Sequence, residues 1–446
     1  MNARSPLPSF TITHRRVLAI AVPMTLASAT TPLLGVVATA AIGRLGVAHL
    51  LGAVAMASVV FDCLFWLFGF LRMGTVALTA QALGARDVGE ERATLVRALL
   101  VAATIGIALI LLQWPLATFV FRLLGASAEV TRAAELYFYV RVWSSPFVLA
   151  NFVLLGWLIG LARANTALAL QVLVNVVNLA ATVSLVLYVG LGVTGAAFAA
   201  VFAEAIGMAV GLAIAFRLVG AALPARASIL DRTRLKRLFL INRDIFIRTA
   251  ALIVAWGFFT AQGARAGDVV LAANSVLHNL MLVGAFFLDG FASAAQQLCG
   301  RAIGAHDEAS FRRAVTLTMS WGFGFGIATT LLTLALGPWL IDLMTASADV
   351  RLVAREYLLY AALASVIGVF AFAYDGIYVG ATWTRDMRNL MIVSLALYLA
   401  VWWLLRLGNT GLWLAILIYF GARGALQAAR YPVLARATFK PATARP

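Results

Sequence analysis

Twelve apolar stretches, each long enough to cross a bilayer, leave this chain few folds to choose from. They lie at about 17–42, 50–80, 95–120, 134–160, 167–188 and 193–219, then at about 238–262, 270–300, 313–337, 354–380, 388–406 and 411–435. Only short charged or glycine-containing breaks separate them. A membrane-spanning helix needs roughly 20 mostly apolar residues, and in hydrocarbon each backbone amide must be bonded within its own segment. The chain is 63% hydrophobic and 12% charged, against about 45–50% and about 25% in soluble domains. A soluble enzyme and a disordered chain are thereby excluded, and an all-α polytopic membrane protein is expected.

The chain also repeats itself. A shift of 220 residues brings Ala82-Leu83-Gly84-Ala85-Arg86-Asp87 onto Ala302-Ile303-Gly304-Ala305-His306-Asp307, and Ser127-Ala128-Glu129-Val130 onto Ser347-Ala348-Asp349-Val350. In the same register Tyr137 meets Tyr357, and Gly156 and Gly160 meet Gly376 and Gly380. Each half holds six spans, an even number, so the halves share one orientation. Two six-helix bundles related by a pseudo-twofold along the membrane normal are the expected architecture, as in parallel-repeat transporters. The expected divisions are a tail at 1–16, an N-lobe at 17–219, a basic connection at 220–237, a C-lobe at 238–435 and a tail at 436–446. Such bundles enclose a cavity that rocking can open to either side, which suits a transporter and does nothing obvious for an enzyme.

The net charge of +16 invites a nucleic-acid reading, but the positions of the bases decide otherwise. With the N-terminus placed inside, 24 of the 34 Lys and Arg residues fall on that side and seven on the other. Arg97 and Arg423 are counted among the 24, and Arg72, Arg141 and Arg248 lie within or at the ends of spans. That bias is the topological signature of cytoplasmic loops. A multi-pass protein of the bacterial inner membrane with both termini cytoplasmic is expected, with no nucleic-acid partner and retention of the first span. Cys63, Cys299 and the four histidines show no disulfide or metal spacing. No phosphate loop, zinc motif or catalytic triad occurs, so no enzyme activity is expected and an ion gradient must supply the energy.

Acids at membrane depth are costly and mark function. Asp375, beside the close-packing glycines Gly376 and Gly380, is either a proton or cation site or a buried acid bonded to neighbours. Asp289 heads a polar stripe with Ser293, Gln296 and Gln297, which Asn274, His278 and Asn279 could join. Gly69 is its counterpart in the first half. Asp62, with Trp66 one turn on and Arg72 about 15 Å away along the helix, reads as a cation or proton site. Glu204 follows small residues and reads first as an interhelical hydrogen bond. Asp244 and Arg248 stand at i and i+4, the spacing of a helical ion pair. Pro23 and Pro32 should bend the first span. Phe286, Phe287 and Tyr374 join Trp66 as candidate cavity walls, with Met56, Met73, Met281 and Phe372 beside them.

The segments LFGFLRMGTVALTAQALGA, LINRDIFIRT, FFTAQGARAGDVVLAANSVL and DGIYVGATWTRDMRN resemble the multidrug and toxic compound extrusion (MATE) family, in its DinF-like branch, over about residues 10–435. The resemblance implies two six-helix lobes, a V-shaped cavity, and export of amphiphilic, often cationic compounds against H⁺ or Na⁺. It also exposes two departures. Ala38 stands where relatives usually carry the N-lobe coupling Asp, and Gln296 where an acid is common. Coupling then falls to Asp62, or to the C-lobe acids, or is impaired. The leading expectation is a monomeric antiporter, driven by H⁺ rather than Na⁺, that exports amphiphilic drugs or metabolites by rocker-type alternating access without a cofactor. The alternative is a flippase for a lipid-linked or other large amphiphile. Deep charges that are mostly acidic argue against that alternative, which would favour a basic cavity.

Overall fold

The computed structural model describes residues 11–43, 48–125, 127–220 and 224–440, and among them it contains helices and no strand. The first half runs α1 (His14–Gly43), α2 (Ala48–Leu67), α3 (Phe70–Ala85), α4 (Val88–Leu111), α5 (Gln113–Leu124), α6 (Ala128–Arg141), α7 (Ser145–Gly160), α8 (Ala164–Val183) and α9 (Gly192–Val219). The short α10 (Arg226–Ile229) leads to α11 (Arg232–Arg265), α12 (Asp268–Gly304), α13 (Glu308–Met344), α14 (Ala348–Gly380), α15 (Thr384–Leu405) and α16 (Gly408–Phe439). Ten helical segments among the described residues are long and apolar enough to cross a membrane. α1 and α11, the latter opening on charged residues, complete a set of twelve long segments.

Boundaries moved where local chemistry overrode hydropathy. The expected third span at 95–120 is two helices, α4 and α5, meeting at Leu112. The basic connection is partly helical, because α11 begins at Arg232. The second span breaks after Leu67, so Arg72 lies on α3 and not on the helix that carries Asp62. Its counterpart α12 runs unbroken through Asp289.

The chain divides into two compact units. One comprises Leu26–Thr79 and Asp87–Asn242, and the other Met1–Thr25, Ala80–Arg86 and Arg243–Pro446. These cuts fall elsewhere than the lobes expected at 17–219 and 238–435. α1 is one continuous helix through the buried Pro23, and the division falls within it just past that proline, between Thr25 and Leu26. Pro32 and Ala38 lie where side chains are outside the described residues. Ala80–Arg86 joins the second unit because Gly84 and Gly304 leave no room for a Cβ: each faces backbone of the other helix, at Arg301 and Gln81. The Gln81 amide also donates to the Gly380 carbonyl at 2.9 Å.

The repeat acquires a physical meaning here. Asp87 and Asp307 cap α4 and α13, accepting from the amides of Glu90 and Ser310 at 2.9 Å. Ser127 and Ser347 cap α6 and α14 in the same manner. A capping side chain satisfies one of the amides that a helix start leaves open. Arg86, His306, Ala162 and Thr382 hold positive φ at equivalent turns. Gly156 and Gly160 pack on the backbone of Arg72 and Val76, while Gly376 and Gly380 pack on that of Ala292 and Gln296. Small residues are what allow membrane helices to approach so closely.

Replacing Gly376 or Gly156 by Ala forces a methyl into backbone and is expected to cost about 1–3 kcal/mol each. Gly324, with nothing within 4 Å, should tolerate Ala. Equilibrium unfolding in mixed micelles checks this comparison, and equal stability of all three variants would contradict it.

Candidate functional site

Two acidic sites stand out among the described residues, one around the half-buried Glu204 of the first unit and one around the buried Asp375 of the second. In the first, α9 presents an alanine face, with Ala199, Ala200 and Ala203 buried. Gly207, one turn beyond Glu204, leaves space for the Asn151 side chain of α7. The Asn151 amide donates to the Glu204 carbonyl at 2.9 Å and to its carboxylate at 2.7 Å. Asn151 Oδ1 is buried without a partner. Arg141 lies over the Phe61 ring at 5.8 Å and its charge acts on both Glu204 and Asp62. Asp62 itself is exposed on its unit, as is Trp66 at 47%. Arg72, by contrast, is not on the helix of Asp62.

In the second unit, α14 carries Asp375, 3% exposed. Gly376 fits α14 against α12, and Gly424 fits α16 against Phe370. These approaches bring Arg423 and Gln427 of α16 onto Asp375, together with Arg248 of α11. Both guanidiniums bond the same oxygen, Oδ2, and the Gln427 amide donates to Oδ1 at 2.9 Å. Arg423 is 1% and Arg248 8% exposed. A carboxylate so placed is balanced by fixed positive charge, the arrangement that makes a buried acid tolerable.

Several expectations are corrected by these contacts. Asp244 does not pair with Arg248. It accepts from Arg388 at 2.7 Å and Arg243 at 3.0 Å, while Arg248 is committed to Asp375. Asn274 bonds Asn409 at 2.8 Å and accepts from Trp413 at 2.9 Å. It lies about 22 Å along α12 from Asp289 at about 1.5 Å per residue, too far for the two side chains to bond directly. Tyr374, expected on a cavity wall, is 8% exposed among Phe370, Tyr378 and Tyr431. Phe286 and Phe287 are half-buried, the latter stacked on Phe325 at 6.0 Å. Asp289 is half-buried and Gln296 buried.

The arginines are what sequence reasoning undervalued. Arg97 and Arg423, counted with the loop bases, are among the most buried large side chains. Arg97 forms a fork with Glu90 at 3.0 and 2.6 Å. The available signal for Arg423 was its place within the apolar stretch 411–435, flanked by Gly421 and Gly424. The deep charges are thus not mostly acidic, and the objection to a basic site loses its premise.

A duplicated, all-helical polytopic membrane protein with charged side chains held at the centre of its helices is the architecture of a transporter. A family model described as MatE matches residues 23–184 and 249–404, and the chain belongs to that family, whose members are multidrug efflux transporters. It is 35% identical to DNA damage-inducible protein F of Escherichia coli K12 over 412 residues, 91% of this chain and 89% of that protein. It is 26% identical to a probable multidrug resistance protein NorM of Caulobacter vibrioides, over 75% of this chain and 73% of that one. Among solved structures, a MOP superfamily transporter from Pyrococcus furiosus, described by the reverse polarity of its binding pocket, matches with TM-score 0.86 at 20% identity. That match covers 96% of this chain and 97% of the other. An outward-facing MATE multidrug resistance transporter matches with TM-score 0.81 at 20% identity, over 94% and 96%. These structural likenesses establish the fold.

Proposed function

We propose that this chain is a proton-driven exporter of small amphiphilic compounds, working as a monomer by rocker-type alternating access. The observation that carries this reading is the contrast between two of its interior acids, the buried Asp375 and the half-buried Glu204. The oxygens of Asp375 are already held by Arg248, Arg423 and Gln427, so a sodium ion there would face two fixed guanidinium charges. The carboxylate of Glu204 accepts from a neutral amide, which leaves room for a proton. Once protonated, Glu204 becomes a hydrogen-bond donor, and the unpartnered Asn151 Oδ1 can accept from it after the amide turns. Asp62 stands in the same Arg141 field and gives the proton an exposed acid to reach first. With Ala38 in place of the family's coupling Asp, these two acids take that role. Binding of proton and substrate in differently facing states is what shifts a two-state carrier. The basic bias of the connecting segments supports a bacterial inner-membrane protein with both termini in the cytoplasm.

A second reading, movement of a larger amphiphile bearing phosphate, is favoured by the buried Arg248 and Arg423. The reverse polarity described for the P. furiosus transporter fits such a reading.

Expression in an efflux-deficient bacterium, challenged with cationic and anionic amphiphilic dyes, tests the first reading. Glu204→Gln should remove at least nine-tenths of the added resistance, and Asp62→Asn a smaller share, at equal membrane abundance. Wild-type resistance in both variants would place the proton elsewhere.

A further inference from the structure

We propose that the second unit holds a binding site for anionic amphiphiles, with Arg248 and Arg423 taking the acid group and an aromatic wall taking the body. The proposal rests on the export reading above and names its substrate class.

A guanidinium presents a planar fork that matches a carboxylate or phosphate through two N–H groups. Neither arginine uses its fork on Asp375. Both reach the one oxygen Oδ2 through a terminal nitrogen. Nε of Arg248 and Nε of Arg423 are buried without any acceptor. A buried donor left unpaired is costly, and an entering acid group would supply the missing acceptors. Two positive charges face a single buried carboxylate. The other groups whose charges act on Arg248 are Asp289, half-buried on α12, and Tyr419.

The aromatic wall begins at the arginines. Arg423 lies 5.9 Å from the Phe372 ring, Phe372 is 6.5 Å from Phe420, and Phe420 is 6.2 Å from Trp256. Trp256 meets His278 edge-on at 4.4 Å. There the wall ends in a cavity of about 120 Å³ that Trp256 and His278 both line, and His278 Nδ1 is buried without a partner. Arg248 and Trp256 share α11, about 12 Å apart along its axis at about 1.5 Å per residue. The fitting ligand has an acid group and, about 12 Å away at that helical spacing, a ring. A hydroxyl or carbonyl on that ring would meet His278.

The test uses the full chain in lipid nanodiscs and two probes of matched length, a naphthyl-alkyl carboxylate and its ammonium twin, titrated calorimetrically. The carboxylate should bind at least tenfold more tightly than the ammonium. Arg423→Gln should cost at least tenfold in carboxylate affinity and leave the ammonium unchanged. Arg248→Lys, which keeps the charge and removes the fork, should weaken the carboxylate severalfold and covers the case in which Arg423→Gln does not fold. Trp256→Ala should weaken both probes. Asp289→Asn should tighten the carboxylate severalfold, whereas in a cation site the same change would weaken binding. The proposal is overturned if the ammonium binds as tightly as the carboxylate, or if Arg423→Gln and Arg248→Lys both bind the carboxylate like the native chain. Carboxylate preference without gradient-driven export in vesicles would contradict the export reading and leave the site standing. Export without carboxylate preference would do the reverse.

Discussion

Asp375→Asn is expected to destabilise the protein by about 3–5 kcal/mol, the cost of removing one partner from a buried ion pair. The substitution keeps the size of the side chain and removes the single negative charge that Arg248 and Arg423 share. Two guanidiniums would then lie in the low-dielectric interior of α11, α14 and α16 with neutral amides where the carboxylate stood, the half-buried Asp289 being the remaining acid whose charge reaches Arg248. Removing one of them as well, in Asp375→Asn/Arg423→Gln, should recover a substantial part of the loss, because groups in one charge network are not additive. The four members of this double-mutant cycle can be compared by equilibrium unfolding in mixed micelles. A coupling energy near zero would mean that the three side chains do not act as one unit. Loss of stability also separates this acid from Glu204. Glu204→Gln keeps the small-residue packing of α9, replaces only the carboxylate, and should spare folding while removing export.

Much of the fold was legible because hydrophobic length and a 220-residue repeat are strong signals. The repeat was recognised from bare matches such as Ala82–Asp87 with Ala302–Asp307, and the structure shows why they recur. Helix caps, left-handed turn residues and glycine crossings are positions where few residue types fit. The site was less legible. Asp375, Asp289, Asp62 and Glu204 could be found by depth, since an acid at the middle of a span is conspicuous. Their partners could not, because pairing depends on which helix faces which. Arg248 stood at helical spacing from Asp244, yet it pairs across to α14. Arg423 was hidden by the assumption that bases belong to loops, and an arginine flanked by glycines in a buried helix breaks that rule. The break between α2 and α3 was likewise invisible to hydropathy, and it took Arg72 off the helix of Asp62.

Transport in proteoliposomes with separately imposed gradients should give the largest functional effect. Guanidinium groups occupy the carboxylate that a sodium ion would need, whereas Glu204 and Asp62 offer protonatable oxygens near the single charge of Arg141. A proton gradient should therefore accelerate export of an amphiphilic dye at least tenfold over vesicles without a gradient. An equal sodium gradient at constant pH should give no acceleration, and the proton effect should vanish in Glu204→Gln while protein insertion is unchanged. A labelled lipid in the same vesicles serves as the flippase control and should not redistribute with the gradient. The most direct measurement is the initial rate of dye movement under these two gradients side by side. Proton-dependent, sodium-independent export that is lost in Glu204→Gln is the expected result. Sodium-driven export that survives Glu204→Gln and is lost in Asp375→Asn would contradict it.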